Sequence, residues 1–393
     1  MTATGIVNTT SGFLQTAFDL TGRSSGNAYY RSVSNGNWND PATWEVSANI
    51  AGPYSAAYVA PSAANSDLIQ VQNGHTVTVT ATVSTDDVQI DGDLVINSGV
   101  TYTIANGSAA QDMIVSATGV VTNNGTWTSV SGSVIQIDGT VNNNLTLNFN
   151  VTGANVQVNG TINNLSTANG TAAVLFFNSG SVYDHQRNGG ALPVSTWDAN
   201  STVIISGLTT TSPTGISGYS FGHFTHNSPS QTSALTYGLT STATRFKGNF
   251  TMESSGSGSL AFKSGTGATT LNVEGNFIVN NGTLNANIGA TAGLTLYIGG
   301  DFQQTNGTFN LSTASVACAV YYDGNFSVSG GTHTQTSATV STMNFRGAGK
   351  TFAVTGGTYT NTRLELCAYQ YAISGGFDHQ QCIHTEHIQN FYN

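Results

Sequence analysis

Apolar and polar residues alternate with a period of two along most of this chain. Thr76-Val77-Thr78-Val79-Thr80 and Val134-Ile135-Gln136-Ile137 are typical runs, and that period puts successive side chains on opposite faces of a β-strand. No window carries apolar residues at helical spacing, and stretches rich in Ala, Leu, Glu and Lys are missing. Helices are therefore excluded as a main component.

The strands recur within a phrase that runs from about residue 91 to residue 357. Its clearest copies are Lys247-Gly248-Asn249-Phe250, Glu274-Gly275-Asn276-Phe277, Gly299-Gly300-Asp301-Phe302 and Asp323-Gly324-Asn325-Phe326, with a looser relative at Gly349-Lys350-Thr351-Phe352. The phenylalanines stand 27, 25, 24 and 26 residues apart. A period in that range predicts stacked rungs, each hiding its apolar face against its neighbours. Phe250, Phe277, Phe302 and Phe326 are then an internal stack, and Gly248, Gly275, Gly300 and Gly324 mark the corners. An earlier series places corners at Gly92, Gly119, Gly139, Gly160 and Gly180. There, Asp-Gly and Asn-Gly steps are expected to supply residues of positive φ. The predicted fold is all-β: a right-handed parallel β-helix or solenoid of about twelve to fourteen rungs.

Three segments follow from this reading. Residues 1–65 form an N-terminal arm and a cap containing Trp38 and Trp44, because an open solenoid end exposes core and unpaired strand edges. Residues 66–366 form the solenoid, with irregular rungs and a protruding loop at about 181–245, where the phrase lapses. Residues 367–393 are an atypical tail that gathers Cys367, Cys382, His379, His384 and His387.

Composition narrows the partners. Only 7% of residues are charged while 38% are hydrophobic, which excludes a disordered chain. The net charge is -10 and the nine Lys and Arg residues are scattered, which argues against nucleic acid and against anionic lipid. No apolar stretch is long enough for a helix to insert in a membrane. The three cysteines are an odd number and cannot form a complete disulfide framework. Met1-Thr2-Ala3-Thr4-Gly5 lacks the basic start of a signal peptide. The low charge and the Thr/Asn/Gly strands nevertheless favour a secreted or bacterial cell-surface protein.

The stretch 38–79 holds paired tryptophans, a proline, an Asp before a β-run, and Gly74-His75-Thr76-Val77. It resembles the opening of the eight-glycine domain. Over about residues 29–365 the chain is similar to the large exported repeat proteins of gliding Gram-negative bacteria, often sent out by the type IX route. Phrases such as Val182-Tyr183-Asp184-His185, Gly189-Gly190-Ala191-Leu192-Pro193 and Thr196-Trp197 recur in that group. The resemblance implies an exported β-solenoid and assigns no reaction.

Candidate chemistry is sparse. Asp86, Asp87, Asp91 and Asp93 offer oxygens of the kind Ca²⁺ takes, although Asx residues at corners usually bond their own backbone. Tyr183, Asp184, His185 and Arg187, with His223 and His226, supply the base and cation that a polysaccharide lyase would need. The run Cys382-Ile383-His384-Thr385-Glu386-His387 matches no zinc spacing, so no metal site is assigned. Trp38, Trp44, Trp127 and Trp197 could stack on sugars, but their positions suit core packing better. Thr76, Thr78 and Thr80 suggest a water-ordering array, yet the Thr pattern does not persist at a fixed place from rung to rung.

The expected function is therefore a non-catalytic structural protein (an adhesin, stalk or self-assembling fibre subunit) with no cofactor, meeting other copies of itself or an extracellular glycan surface. The alternative is a glycan-active enzyme or carbohydrate-binding module using residues 183–226.

Overall fold

The computed structural model describes residues 28–360 apart from 314, 337, 338 and 340, together with the backbone of strands Leu364–Leu366, Ala372–Ile373 and Ile383–Thr385. The thiols of Cys367 and Cys382 and the side chains of His379, His384 and His387 lie outside the described residues. The protein is a β-solenoid of about 11 turns built from parallel sheets. Its only helix among the described residues is the short 3-10 turn Pro41–Thr43. The chain divides into two compact units, residues 1–157 and 158–393.

In the first unit each turn contributes one strand to each of three faces. Successive turns read Leu68–Val71, Thr76–Val79 and Val83–Thr85; Val88–Ile90, Asp93–Ile96 and Thr101–Ile104; Met113–Val115, Val120–Asn123 and Thr126–Ser129; and Val134–Ile137, Thr140–Asn143 and Thr146–Phe149. The register is one-to-one. Ile69, Val88, Met113 and Ile135 form one column, Val77, Leu94, Val121 and Val141 a second, and Tyr102, Trp127 and Leu147 a third. All of these are buried, because the period of two turns every second residue inward.

The start of this unit departs from the parallel pattern. Strand Tyr29–Ser32 pairs parallel with Leu68–Val71 and antiparallel with Trp44–Ser47, which in turn pairs antiparallel with Ser55–Ala56. Trp38 and Trp44 are fully buried and meet edge to face at 5.0 Å, and Trp38 meets Tyr102 at 5.6 Å. Their ring N–H groups are satisfied: Trp38 Nε1 donates to the Pro61 carbonyl at 2.9 Å and Trp44 Nε1 to that of Trp38 at 2.8 Å.

In the second unit Phe250, Phe277, Phe302, Phe326 and Phe352 pair in parallel register from turn to turn. Their ring centroids follow one another at 4.9, 5.7, 4.8 and 4.7 Å. This is the internal stack that the spacing predicts. The turns that carry Val182–His185 and Thr202–Ile205 have no strand on the third face, which accounts for fewer full turns than the predicted count. The loops after these strands instead send Leu192, Leu208 and Ile216 into the core.

The corner glycines need correction. Gly92, Gly119 and Gly139, like Gly248, Gly275, Gly300 and Gly324, are absent from the positive-φ positions. They are required for another reason: a Cβ on Gly324 would lie 2.2 Å from the Gly300 carbonyl oxygen, and one on Gly139 would lie 2.2 Å from that of Gly119. At most of these positions the backbone of the preceding turn fills the space a side chain would need, and at Gly248 the His223 ring does. Within the earlier series Gly180 does have positive φ, at +83°, as do glycines outside it such as Gly99 at +78°.

Candidate functional site

Strand Val182–His185 turns Tyr183 and His185 into the core and leaves Asp184 outside. Tyr183 Oη accepts from Asn164 Nδ2 at 2.9 Å and lies 3.4 Å from His185 Nδ1. His185 Nε2 is 2.7 Å from the Gly189 carbonyl oxygen. An oxygen of that kind can only accept, so Nε2 carries the proton and Nδ1 is the acceptor. Phe177 and Trp197 pack around Tyr183. Burial raises the Tyr183 hydroxyl and lowers the His185 imidazole from their ordinary values.

The other candidates are engaged elsewhere. Asp184 accepts from Gln186 Nε2 at 2.8 Å and from the Ser206 hydroxyl. Arg187 Nη1 donates to the Ser166 carbonyl. His226 points inward between Tyr237 Oη, 2.8 Å from Nδ1, and Gln231 Oε1, 2.9 Å from Nε2. The Gln231 amide is oriented by its donation to the Ser233 and Ser259 carbonyls, so His226 donates through Nε2. Burial brings the His226 pKa down to about 4.

His223 faces outward, and its Nδ1 accepts the backbone N–H of Asn249 at 3.0 Å. That contact begins a series. Asn249, Asn276, Asp301 and Asn325 each accept, through Oδ1, the backbone N–H of their counterpart one turn later. The six lyase candidates are thus divided between the interior and separate outer contacts.

The carboxylates behave similarly. Asp91 bonds to the amides of Gln70 at 2.7 Å and Gln89 at 3.0 Å. Its carboxylate is tied to side chains, one on the preceding turn and one two residues back, rather than to its own backbone. Asp93 accepts from Thr76 Oγ1 at 3.3 Å, while Asp86 and Asp87 are buried at a different corner. Among the described residues no group of three or more His, Cys, Asp and Glu could hold a metal ion. Trp127 and Trp197 are core residues: Trp127 meets Phe149 at 5.2 Å, and Trp197 stacks on Phe177 at 4.1 Å.

Sequence reasoning missed an outward cluster. Tyr297 and Tyr321 occupy the same strand position on successive turns and stack at 4.8 Å. The Arg346 guanidinium lies 5.2 and 4.9 Å from their ring centroids and makes two hydrogen bonds to the Asp323 carboxylate, at 2.8 and 2.7 Å. Such a cluster joins aromatic surface to hydrogen-bonding charge. The available signal was the strand alternation of Leu294–Ile298 and Cys318–Tyr322, which puts one tyrosine of each strand outside.

Among the described residues no helix is long and apolar enough to cross a membrane. No protein-family model, curated protein or solved structure matches the chain.

Proposed function

We propose that this chain is a non-catalytic structural protein that presents rigid, nearly uncharged sheet faces at or outside a bacterial surface, as an adhesin, stalk or fibre subunit does. One observation carries this reading. The side chains best suited to chemistry, Tyr183, His185, His226, Cys318 and His333, all line the buried core. Burial shifts each toward its uncharged form. The antiparallel strands around Trp38 and Trp44 serve in this reading as the end cap. The scarcity of charge, 7% of residues, supports an exported protein.

A glycan-binding module is the second reading, favoured by the Tyr297–Tyr321 stack with Arg346 beside it. Two measurements separate these readings from an enzyme. Immunolabelling of intact producing cells is expected to find the protein on the surface or in the medium. A screen of uronate and neutral polysaccharides is expected to show no chain scission. Scission by the wild type that is lost in Asp184→Ala, an outward substitution, overturns the non-catalytic reading. Light scattering then tests the fibre version, which fails if the protein is monomeric at every concentration.

A further inference from the structure

In the first unit the outward positions of the third face form a two-column lattice of hydroxyl and amide groups. One column is Thr82, Thr101, Thr126 and Thr146, and the other is Ser84, Thr103, Thr128 and Asn148. Thr82 precedes strand Val83–Thr85 and continues the first column, its Oγ1 accepting from the Thr101 backbone N–H at 3.2 Å. From sequence the Thr pattern does not persist between rungs. The parallel register shows that on this face it does.

We propose that this face binds ice. Successive turns of a parallel sheet stand about 4.8 Å apart, and alternate residues of one strand about 6.6 Å apart. That rectangular mesh is close to the oxygen spacing on a prism face of ice. The side chains are suited to hold it, since threonine is stiff about χ1. The backing is rigid, with Tyr102, Trp127 and Leu147 fully packed beneath the lattice. No position carries a charge, so no tightly held hydration shell competes with an ordered water layer. Among the described residues, the hydroxyls of Thr101, Thr103, Thr126 and Thr146 make no hydrogen bond within the chain and are open to water. Besides Thr82, Thr128 Oγ1 is engaged, accepting from Asn148 Nδ2 and donating to the Asn148 carbonyl, both at 3.3 Å.

The same unit supplies its own contrast. On the second face the column that begins at Thr76 continues as Asp93, Val120 and Thr140. On the first face the outward glutamines Gln70, Gln89 and Gln136 are bonded to Asp91 and Asp138. In the second unit Thr283, Thr308, Thr332 and Thr358 also align. Their companion column is interrupted, however: Asn310 is buried and bonded to Thr336, and Thr334 is bonded to Thr360. Of these described faces, the first unit's third face is the one with no charged, apolar or buried member in either column.

The test is partition of the purified full-length chain into a slowly growing ice hemisphere, with crystal shape recorded alongside. Enrichment in the ice and faceted crystals are expected. Thr103→Tyr and Thr126→Tyr should drop incorporation to the level of an excluded globular protein, with circular dichroism and Tm unchanged. Thr122→Tyr, outward on the second face, should behave as wild type. Exclusion of the wild type from ice overturns the proposal, as does equal behaviour of all three variants. Retention on crystalline cellulose or chitin that is lost in Thr126→Tyr, with exclusion from ice, also overturns it and assigns the face to a glycan lattice. Cell location and polysaccharide turnover are read separately, so failure here leaves the structural reading to its own tests.

Discussion

Asn276 Oδ1 accepts the backbone N–H of Asp301 at 2.9 Å, and Asp301 Oδ1 then does the same for Asn325 at 2.8 Å. One side-chain oxygen per turn thus satisfies a backbone donor that the sheet ladder leaves over. This explains the Asn or Asp that precedes the phenylalanine in each clear copy of the repeated phrase. Asn276→Leu should cost about 1–3 kcal/mol, the penalty for leaving such a donor unmet. Asp301→Asn, which keeps the acceptor, should stay within about 0.5 kcal/mol of wild type. Urea denaturation of both variants checks the difference.

The phenylalanine of the phrase is tested at Phe302. It is fully buried between Phe277 and Phe326, with ring centroids at 5.7 and 4.8 Å. Phe302→Ala should cost about 3–5 kcal/mol, from lost transfer energy plus the cavity left in the column. Phe302→Leu should cost less. Equal midpoints for Phe302→Ala and wild type would show that the column contributes nothing.

The glycines are of two kinds, which substitution separates. Gly324 has the Gly300 carbonyl oxygen where its Cβ would be, 2.2 Å away, whereas Gly99 has φ of +78° and nothing within 4 Å. Gly99→Ala should cost about 1–2 kcal/mol for the left-handed backbone, and Gly99→Asn should recover part of that loss. At Gly324, Ala and Asn should both be poorly tolerated, because the obstacle is the neighbouring turn. A thermal melt of each of the four variants distinguishes the cases.

Three buried imidazoles set the acid limit. Burial lowers His185, His226 (to about 4) and His333 (to about 3). His333 sits among Phe302, Phe309, Phe326 and Tyr359 with centroids at 5.3 to 5.5 Å. The unfolded chain protonates its histidines near pH 6.5 and the folded chain protonates these three only below that. Between those values the unfolded state binds more protons, so stability falls as pH falls. For His226 alone the loss is on the order of 3 kcal/mol between about pH 6.5 and pH 4. Tm should be insensitive to these groups above pH 7 and decline below 6.5. His333→Phe, which suits its aromatic surroundings, should make that decline shallower.

The phenylalanine column was legible in the sequence because its members recur at nearly constant spacing, on one face, in one phrase. The threonine lattice was not. Its inward neighbours Val83, Tyr102, Trp127 and Leu147 are separated by 19, 25 and 20 residues, so unequal loops hide a column that is straight in space. The inward direction of Tyr183 and His185 was hidden for a different reason. In Val182-Tyr183-Asp184-His185 the aliphatic residue faces out and the polar aromatics face in. Hydrophobicity alone therefore gives the wrong side for both. The alignment of Tyr183 with Ile162 and Val203, both buried, fixes the direction.

The one-to-one pairing of strands also governs how such a gene can lengthen or shorten. Deleting a single residue from a strand would turn its aliphatic side chains toward water and expose its partners. Excising residues 277–301 whole would instead set Phe250 against Phe302, keep Asn276 as the donor to Asn249 and bring Asn276 Oδ1 to the Asn325 N–H, leaving each ladder continuous. Viable length variants should therefore differ by complete coils.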